Sequence, residues 1–437
     1  MSGFTVLTVV LVAYALIATK LDHWRITAPM VFVLAGAILG PAGLRMIPVA
    51  LDSETTLTIT ELTLALVLFA DASTVRLRDV EGDSALPTRL LFIGLPLTVI
   101  AGAVVARLAY PDVGWAAAFL VATILAPTDA ALGLAVVTNR AVPVRIRRAL
   151  NVESGLNDGI ATPFVTLFIA VVAAEDGLSA KSWGVEALTQ IGLAILAAVI
   201  VGLLGGWLFT VARERGWTSG ISESLAVLAL ALLAYEASVS IGGNGFVAAF
   251  AGGLLFGAVT GGRAERSMQF TEGLGLCSSF FVWAVFGAIF VGEVLREDVS
   301  ALPILYAVLS LTVIRLVPVA IAMIGTRLRG ITIAFMGWFG PRGLASVVFT
   351  LIVIEELGAD GSVHPLVVIA TWTIFLSVLL HGFSATPLAA RYGAAIGRSD
   401  PDIPELAPAQ EPRIRLRDLA GRHHLEHVQG GAQPPSS

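Results

Sequence analysis

Long apolar stretches recur along this chain at lengths that fit membrane-spanning helices. A bilayer core of about 30 Å needs roughly 20 mostly apolar residues per helix, and such stretches follow one another from residue 3 to about Arg391. They are far too long for barrel strands, and backbone groups in lipid must be satisfied within their own segment. We therefore predict an all-α polytopic membrane protein with about thirteen spans: 3 to 19, 26 to 43, 57 to 75, 86 to 108, 114 to 137, 151 to 174, 186 to 211, 221 to 239, 243 to 260, 277 to 295, 301 to 325, 331 to 354 and 366 to 390.

Composition and charge agree with this class. Of the 437 residues, 56% are hydrophobic and only 14% are charged, which is too little charge for the surface of a soluble protein. With the amino terminus outside, fifteen Lys and Arg residues lie in or beside the odd-numbered connections and four beside the even-numbered ones. Because basic loops stay on the cytoplasmic side, we predict a multi-pass protein of the cell membrane with a cytoplasmic carboxyl terminus. The Pro-rich residues 392–437 are expected to form a flexible tail there.

Two of the predicted helices carry helix-breaking residues in mid-span. The fifth has the sequence APTD at residues 126–129, and the twelfth has GPRG at residues 340–343. Proline removes a backbone donor and clashes with the preceding turn, so each helix should unwind within the membrane. Two interrupted helices seven spans apart, and hence of opposite orientation, are typical of an inverted-repeat transporter with a midplane site. Two unrelated proline kinks are the alternative that this pattern leaves open.

Ionisable side chains are concentrated in the same spans as the breaks and in their neighbours. A charge inside the membrane is costly unless it is paired or wetted, so each one is a candidate for function. The candidates are Asp71 in the third span, Asp129 in the fifth, Glu153 and Asp158 in the sixth, Arg315 in the eleventh and Arg342 in the twelfth.

The sixth span carries two polar stripes. Ser154 and Asp158 share one helix face through their i,i+4 spacing, and Glu153 and Asn157 share an adjacent face. We predict that Ser154 and Asp158 face a bound ion. Glu153 and Asn157 then face protein, where Glu153 can form a structural ion pair with Arg342.

Asp158 is the strongest candidate for carrying the ion. If Arg342 pairs with Glu153 and Arg315 pairs with Glu293 across helices, no intramembrane basic residue remains to neutralise Asp158. A carboxylate in such a site can hold either a proton or a sodium ion near neutral pH. Competition between the two for one carboxylate is an antiport mechanism.

Oxygen ligands for a sodium ion are available near Asp158. Sodium is a hard cation, and the side chains of Asp158, Ser154 and Asp71 could bind it together with the Thr128 carbonyl freed by unwinding. Asp129, at the break of the fifth helix, could ligate the ion directly. It could instead satisfy the exposed amides of the opposing half-helix, whose dipole favours a negative group.

These motifs together carry a family resemblance. Thr128 and Asp129 in a broken helix, the segment ESGLND at 153–158 in the next helix, and GPRG at 340–343 in the penultimate helix resemble the cation:proton antiporters, specifically the bacterial NhaP and animal NHE branch. The resemblance covers about residues 3 to 391. The chain departs from the family pattern at Ala130, where proline is common, and at Asp71, where many members have glutamate.

The resemblance implies a homodimer of thirteen-helix protomers that works by alternating access. A core domain, roughly 86–174 and 301–390, would move against dimerisation helices at roughly 3–75 and 186–295. By similarity, Asp158 carries the ion and proton, Ser154 and Thr128 are ligands, and Glu153, Asn157 and Arg342 form a structural triad.

The same resemblance suggests electroneutral exchange, because Asn157 precedes Asp158 where other branches have a second aspartate. An uncharged Asn157 leaves one titrating carboxylate, which can trade one proton for one monovalent ion.

Other functions remain open on the sequence alone. We predict Na+, and also Li+, as the exchanged ions. Exchange of potassium keeps the class and changes the ion, whereas an intramembrane aspartyl protease would use Asp129 and Asp158 as a dyad. A channel or ion-gated sensor on the same fold is a third alternative. The glycine-rich runs lack a following Gly-Lys-Ser/Thr, so no ATP coupling is indicated. We expect no cofactor and no nucleic-acid partner, only the bilayer, the transported ions and a second copy of the chain.

Overall fold

The helices of the structure follow the order of the predicted spans. The computed structural model describes residues 3–47, 54–75, 85–129, 132–175, 177, 183–296, 300–359, 361, 363–400, 402–409 and 411. Within these residues the regular structure is helical, without a strand. The helices are α1 Gly3–His23, α2 Ala28–Leu39, α3 Glu54–Thr74, α4 Ala85–Ala109, α5a Trp115–Leu125, α5b Leu134–Val137, α6 Val144–Glu175, α7 Gly184–Glu214, α8 Gly220–Ser240, α9 Gly245–Thr260, α10 Glu265–Val294, α11 Ala301–Ala322, α12a Gly330–Trp338, α12b Leu344–Leu357 and α13 His364–Ile396.

The lengths of these helices confirm a polytopic all-α membrane protein. In the described part of the chain, nine helices are long and apolar enough to cross a membrane, namely α1, α3, α4, α6, α7, α8, α10, α11 and α13. The remaining predicted spans correspond to the shorter apolar helices α2 and α9 and to the interrupted α5 and α12. Apolar length in the sequence therefore located the helices.

Two helices begin well before the predicted spans. The predicted sixth span starts at residue 151, but α6 begins at Val144, and the predicted tenth span starts at 277, but α10 begins at Glu265. The additional turns carry charged residues such as Arg147 and Arg266. Hydrophobicity marks only the part of a helix that is as apolar as lipid, so charged turns that project beyond it are missed.

The helices pack as two groups. In one, α3 and α9 lie side by side with α7, α8 and α10 around them, and α2 packs against α10. α9 approaches α3 closely at Gly253, where an added Cβ would lie 2.4 Å from the Phe69 carbonyl oxygen. In the other group, α4 packs against α5a, α11 packs against α12a and α13, and α13 packs against both broken helices. α6 and α12b contact members of both groups.

The segment after α13 is not a free tail throughout, which corrects part of the prediction for residues 392–437. α13 continues to Ile396, past the predicted boundary, and a short 3-10 turn follows at Pro404–Leu406. Glu405 in this turn is fully buried, and its carboxylate accepts hydrogen bonds from the Arg329 amide at 2.8 Å and from the Thr332 hydroxyl at 2.7 Å. A carboxylate at the amino-terminal end of α12a is favoured by the helix dipole and by the free amides there. Residues 412–437 lie outside the described residues.

We expect Glu405→Ala to lower the free energy of unfolding by about 2 kcal/mol, because it removes two hydrogen bonds to a buried charge. The measurement is thermal or denaturant unfolding of the purified protein in detergent. Glu411→Ala is the matched control, since Glu411 pairs with Arg147 but its side chain is 67% exposed, and exposed ion pairs contribute little. Equal losses of stability in the two variants would contradict the burial of Glu405.

Candidate functional site

Both predicted helix breaks are present, and the two broken helices meet there. α5a ends at Leu125 and α5b begins at Leu134, whereas α12a ends at Trp338 and α12b begins at Leu344. The chain between the α12 pieces is not helical, and the Asp129 amide donates a hydrogen bond of 2.8 Å to the Pro341 carbonyl. The two unwound segments are thus hydrogen bonded to each other.

Each broken helix supplies the charge that the opposing half-helix needs. Asp129 Oδ2 accepts a hydrogen bond of 3.2 Å from the Leu344 amide, which belongs to the first turn of α12b. Arg342 Nη1 donates to the Ala126 carbonyl at 3.1 Å, just past the carboxyl-terminal end of α5a. A negative group therefore lies at a helix amino terminus and a positive group at a helix carboxyl terminus, which is the arrangement that helix dipoles favour. Of the two roles predicted for Asp129, this contact corresponds to the capping of the opposing half-helix.

Two serines add hydrogen bonds at the helix crossing, the place where the breaks of the fifth and twelfth helices meet. Ser346 of α12b donates a hydrogen bond of 2.7 Å to the Ile124 carbonyl, one of those left without a partner where α5a ends. The second arm of the Arg342 guanidinium donates to the Ser310 carbonyl of α11 at 3.1 Å. Arg342 is fully buried, so these carbonyl contacts stabilise its charge in place of water.

A glycine is required where the two breaks touch. A Cβ added at Gly343 would lie 2.0 Å from the Asp129 Cβ, a distance that forces one segment to move. We expect Gly343→Ala to lower the free energy of unfolding by about 3 kcal/mol, as overpacking of a tight core does. Unfolding of the purified variant in detergent measures this loss.

Gly330→Ala is the matched control for that prediction. Gly330 begins α12a, on the same broken helix, and an added Cβ there has no heavy atom within 4 Å. Its stability should equal that of the parent protein. A Gly343→Ala protein as stable as the Gly330→Ala protein would show that the two breaks are not in close contact.

The buried ion pair at the site joins Glu153 to Arg315, so the predicted pairs of Glu153 with Arg342 and of Arg315 with Glu293 are wrong. Arg315 Nη2 donates to Glu153 Oε1 at 2.5 Å, and both side chains are 1–2% exposed. Glu293, in contrast, lies in an exposed position near the end of α10. Helical periodicity located the face of α6 that carries Glu153, but the arginine that reaches it is determined by how α11 and α12 pack.

Asn157 ties α6 to the break of the fifth helix. Its Nδ2 donates a hydrogen bond of 2.7 Å to Thr128 Oγ1, and both residues are buried. The neighbouring residue, Asp158, is partly exposed, whereas Ser154, one turn earlier, is 7% exposed. The Asn157 contact therefore brings the segment of α6 that holds both candidate ligands against the helix crossing.

The structure thus gathers most of the predicted site residues at one place. Asp71 lies at 5% exposure in α3, which packs against α6 and α12b. Ala130, the departure from the family pattern, lies outside the described residues. Around the helix crossing itself lie Thr128, Asp129, Glu153, Asn157, Arg315 and Arg342.

Sequence reasoning missed four residues that contact the breaks. For the serines there was no signal, because serine is common in membrane helices and its hydroxyl often bonds within its own helix. His381 was different, since it is an ionisable side chain in the middle of an apolar span and the rule applied to the acids would have found it. The residues are Ser310, Ser346, Ser377 and His381.

Proteins similar to this chain include several antiporters. A protein of a Shewanella species named K(+)/H(+) antiporter NhaP2 is 26% identical over 262 residues, which cover 59% of this chain and 44% of that protein. A Schizosaccharomyces pombe protein named Na(+)/H(+) antiporter is 24% identical over 332 residues, covering 66% of this chain and 68% of that protein. The chain thus spans less than half the length of the Shewanella relative.

The fold also matches a solved structure. The sodium proton antiporter MjNhaP1 from Methanocaldococcus jannaschii superimposes with a TM-score of 0.71 at 20% identity, covering 90% of this chain and 98% of that one. The model of the family described as "Sodium/hydrogen exchanger, transmembrane" matches residues 6–391, which include both breaks, α6 and Arg315. This is a family of transporters and not of enzymes, so the aspartyl protease alternative is wrong. The chain belongs to the sodium/hydrogen exchanger family.

Proposed function

We propose that this protein exchanges Na+, and also Li+, for protons across the cell membrane, and that the two ions compete for Asp158. The observation that supports the proposal is the hydrogen bond from Asn157, the residue before the partly exposed Asp158, to Thr128 at the break of the fifth helix. The charged residues of the two breaks, Asp129 and Arg342, contact the opposing half-helices instead. A carboxylate there can bind a proton or a hard cation in turn.

The neighbouring groups suit a monovalent cation. Ser154 lies one turn from Asp158 on the same face of α6, and we assign Asp71 of α3, a helix that packs against α6, to the same site. Thr128 uses its hydroxyl oxygen to accept from Asn157, and we assign its backbone carbonyl to the ion. Transported Na+ is the cargo of this site, and the mechanism requires no cofactor.

Exchange at this site is electroneutral and one for one. Asn157 precedes Asp158, carries no charge and donates its amide to Thr128, while Glu153 is held in the pair with Arg315. One carboxylate then alternates between one proton and one cation, so each cycle moves no net charge.

Potassium is the second candidate ion, and the similarity to the Shewanella protein named a K(+)/H(+) antiporter favours it. The Schizosaccharomyces pombe relative is named for sodium instead. The size of the site when occupied decides between the two ions, because K+ requires longer bonds to oxygen than Na+.

Alternating access in this proposal is a movement of one helix group against the other in a homodimer. The packing of α4, α5, α11, α12 and α13 as one group, and of α3 and α7 to α10 as another, supports such a division. α6 and α12b contact both groups, so we assign the ion site to the boundary along which the two groups would slide past each other.

We assign the amino terminus to the outside and the carboxyl terminus to the cytoplasm on the distribution of Lys and Arg.

The test uses purified protein in liposomes that contain a pH-sensitive dye. Na+, Li+, K+ or choline is added outside, and a pH change with Na+ and Li+ but not choline is the expected result. An imposed membrane potential should leave the rate unchanged. A response to K+ alone would replace Na+ by K+, a rate that follows the potential would reject one-for-one exchange, and movement of cations without protons would indicate a channel.

A further inference from the structure

Ser377 and His381 of α13 lie beside the break of the twelfth helix, one turn apart. Both are buried, with exposures of 0% and 1%. Ser377 Oγ accepts a hydrogen bond of 2.7 Å from the Arg342 amide, just before α12b begins. His381 Nε2 lies 2.8 Å from the carbonyl of Trp338, the last residue of α12a. Two side chains of one helix thus contact the two ends of the gap in another.

The atoms at these contacts determine the tautomer of His381. His381 faces two carbonyl oxygens, which can only accept: that of Trp338 lies 2.8 Å from Nε2, and that of Ser377 lies 3.0 Å from Nδ1. A neutral ring carries one hydrogen, and we assign it to Nε2, which makes the shorter contact and donates to Trp338. In the neutral ring Nδ1 is then an acceptor, and it lies 3.1 Å from Ser377 Oγ. The hydroxyl accepts from the Arg342 amide and gives its own hydrogen to Nδ1. One continuous hydrogen-bond chain therefore runs from the start of α12b, through α13, to the end of α12a.

We propose that Ser377 and His381 are positioning residues for ion exchange, because they hold the gap between α12a and α12b at a set width. The inference rests on the function proposed above. The gap contains Arg342, whose side chain contacts Ala126, and it precedes Leu344, whose amide contacts Asp129. A change in its width moves both capping contacts on the fifth helix, and with them Thr128 and the ion site. Neither side chain touches the ion.

Three substitutions of His381 separate this role from simple packing. The amide nitrogen of glutamine reaches about as far as imidazole Nε2 and can still donate to Trp338, whereas that of asparagine reaches only as far as Nδ1, and leucine donates nothing. We expect His381→Gln to keep the KM for the cation that the parent protein transports within about twofold. His381→Asn and His381→Leu should raise that KM about tenfold, the change expected for loss of one buried hydrogen bond. His364→Leu, an exposed histidine at the start of the same helix, should leave it unchanged.

A second measurement does not depend on transport. Deuterium uptake by the backbone amides of residues 339, 340 and 342–344 should rise in Ser377→Ala and His381→Leu, because the Arg342 amide loses its acceptor or the gap loosens. Thr371→Val is the matched control, since the Thr371 hydroxyl is equally buried but donates to Val367 of its own helix, at 2.8 Å. Its uptake should equal that of the parent protein.

The two measurements distinguish failure of the proposed function from failure of the positioning role. A parent protein that exchanges neither Na+, Li+ nor K+ defeats the proposed function, whereas the deuterium result still decides whether Ser377 and His381 hold the gap. Unchanged uptake in both variants overturns the positioning role. Equal KM values for the Gln, Asn and Leu proteins overturn it as well, because they would show that donation to Trp338 is irrelevant to exchange.

Discussion

Asp158→Asn should reduce cation-dependent proton movement to the level of liposomes without protein. The amide has nearly the shape of the carboxylate but can neither bind a proton near neutral pH nor present a negative charge to a cation, so both halves of the exchange are lost. Asp158 is partly exposed, and for this reason we expect the variant to fold and to unfold at the temperature of the parent protein. The measurement is the liposome assay with Na+, Li+ and K+, together with a melting curve in detergent.

Two variants make this result specific. Glu236→Gln applies the same chemical change to an exposed carboxylate of α8, outside the helices that carry the breaks, and its exchange rate should equal that of the parent. Asp158→Glu keeps the charge but displaces it by one methylene group, so it should retain proton binding and change the KM for the cation. Full exchange by Asp158→Asn would show that another group carries the ion.

Arg315→Met should lower the free energy of unfolding by about 3–5 kcal/mol, the second large effect expected here. Glu153 is 1% exposed, and its Oε2 has no hydrogen-bond partner among the described residues, so loss of Arg315 leaves a buried carboxylate without its cation. Adding Glu153→Gln to Arg315→Met removes that carboxylate and should recover about 2 kcal/mol of the loss. Denaturant unfolding of the two single variants and the double variant gives the coupling energy.

The same cycle with Arg342→Met tests which arginine pairs with Glu153. Arg342 contacts the Ala126 and Ser310 carbonyls. Its interaction with Glu153 is a longer-range electrostatic attraction. The coupling of Glu153 to Arg342 should therefore be smaller than its coupling to Arg315. The reverse order would restore the pairing that was predicted from the sequence.

The site could be predicted from the sequence to the extent that its features are local in the chain. Apolar length located α6 and α13, and the proline and glycine residues at 126–129 and 340–343 predicted where two helices break. The spacing of Glu153 and Asn157 along one helix predicted that both face protein, which agrees with their contacts to Arg315 and Thr128.

Partners on other helices could not be predicted in this way. Arg315 and Arg342 are equivalent as charges in the sequence, and only the folded bundle brings Arg315 of α11, rather than Arg342, within hydrogen-bonding distance of Glu153. The composition of residues 392–437 predicted a flexible tail, yet a free amide and a hydroxyl at the start of α12a bind Glu405. In both cases a geometric match between distant segments overrides what composition indicates.

The sequence by itself determined the membrane class, the succession of spans and the two breaks, and it predicted which side chains carry the cation. These follow from hydrophobicity, from the lost backbone donor of proline and from the period of a single helix, all of which act over a few residues. Only the tertiary structure decided that Asp129 and Arg342 cap opposing half-helices, that Arg315 pairs with Glu153, and that Ser377 and His381 bridge a break. Hydrogen bonds depend on distances of about 3 Å, and such distances between helices exist only after the bundle has packed.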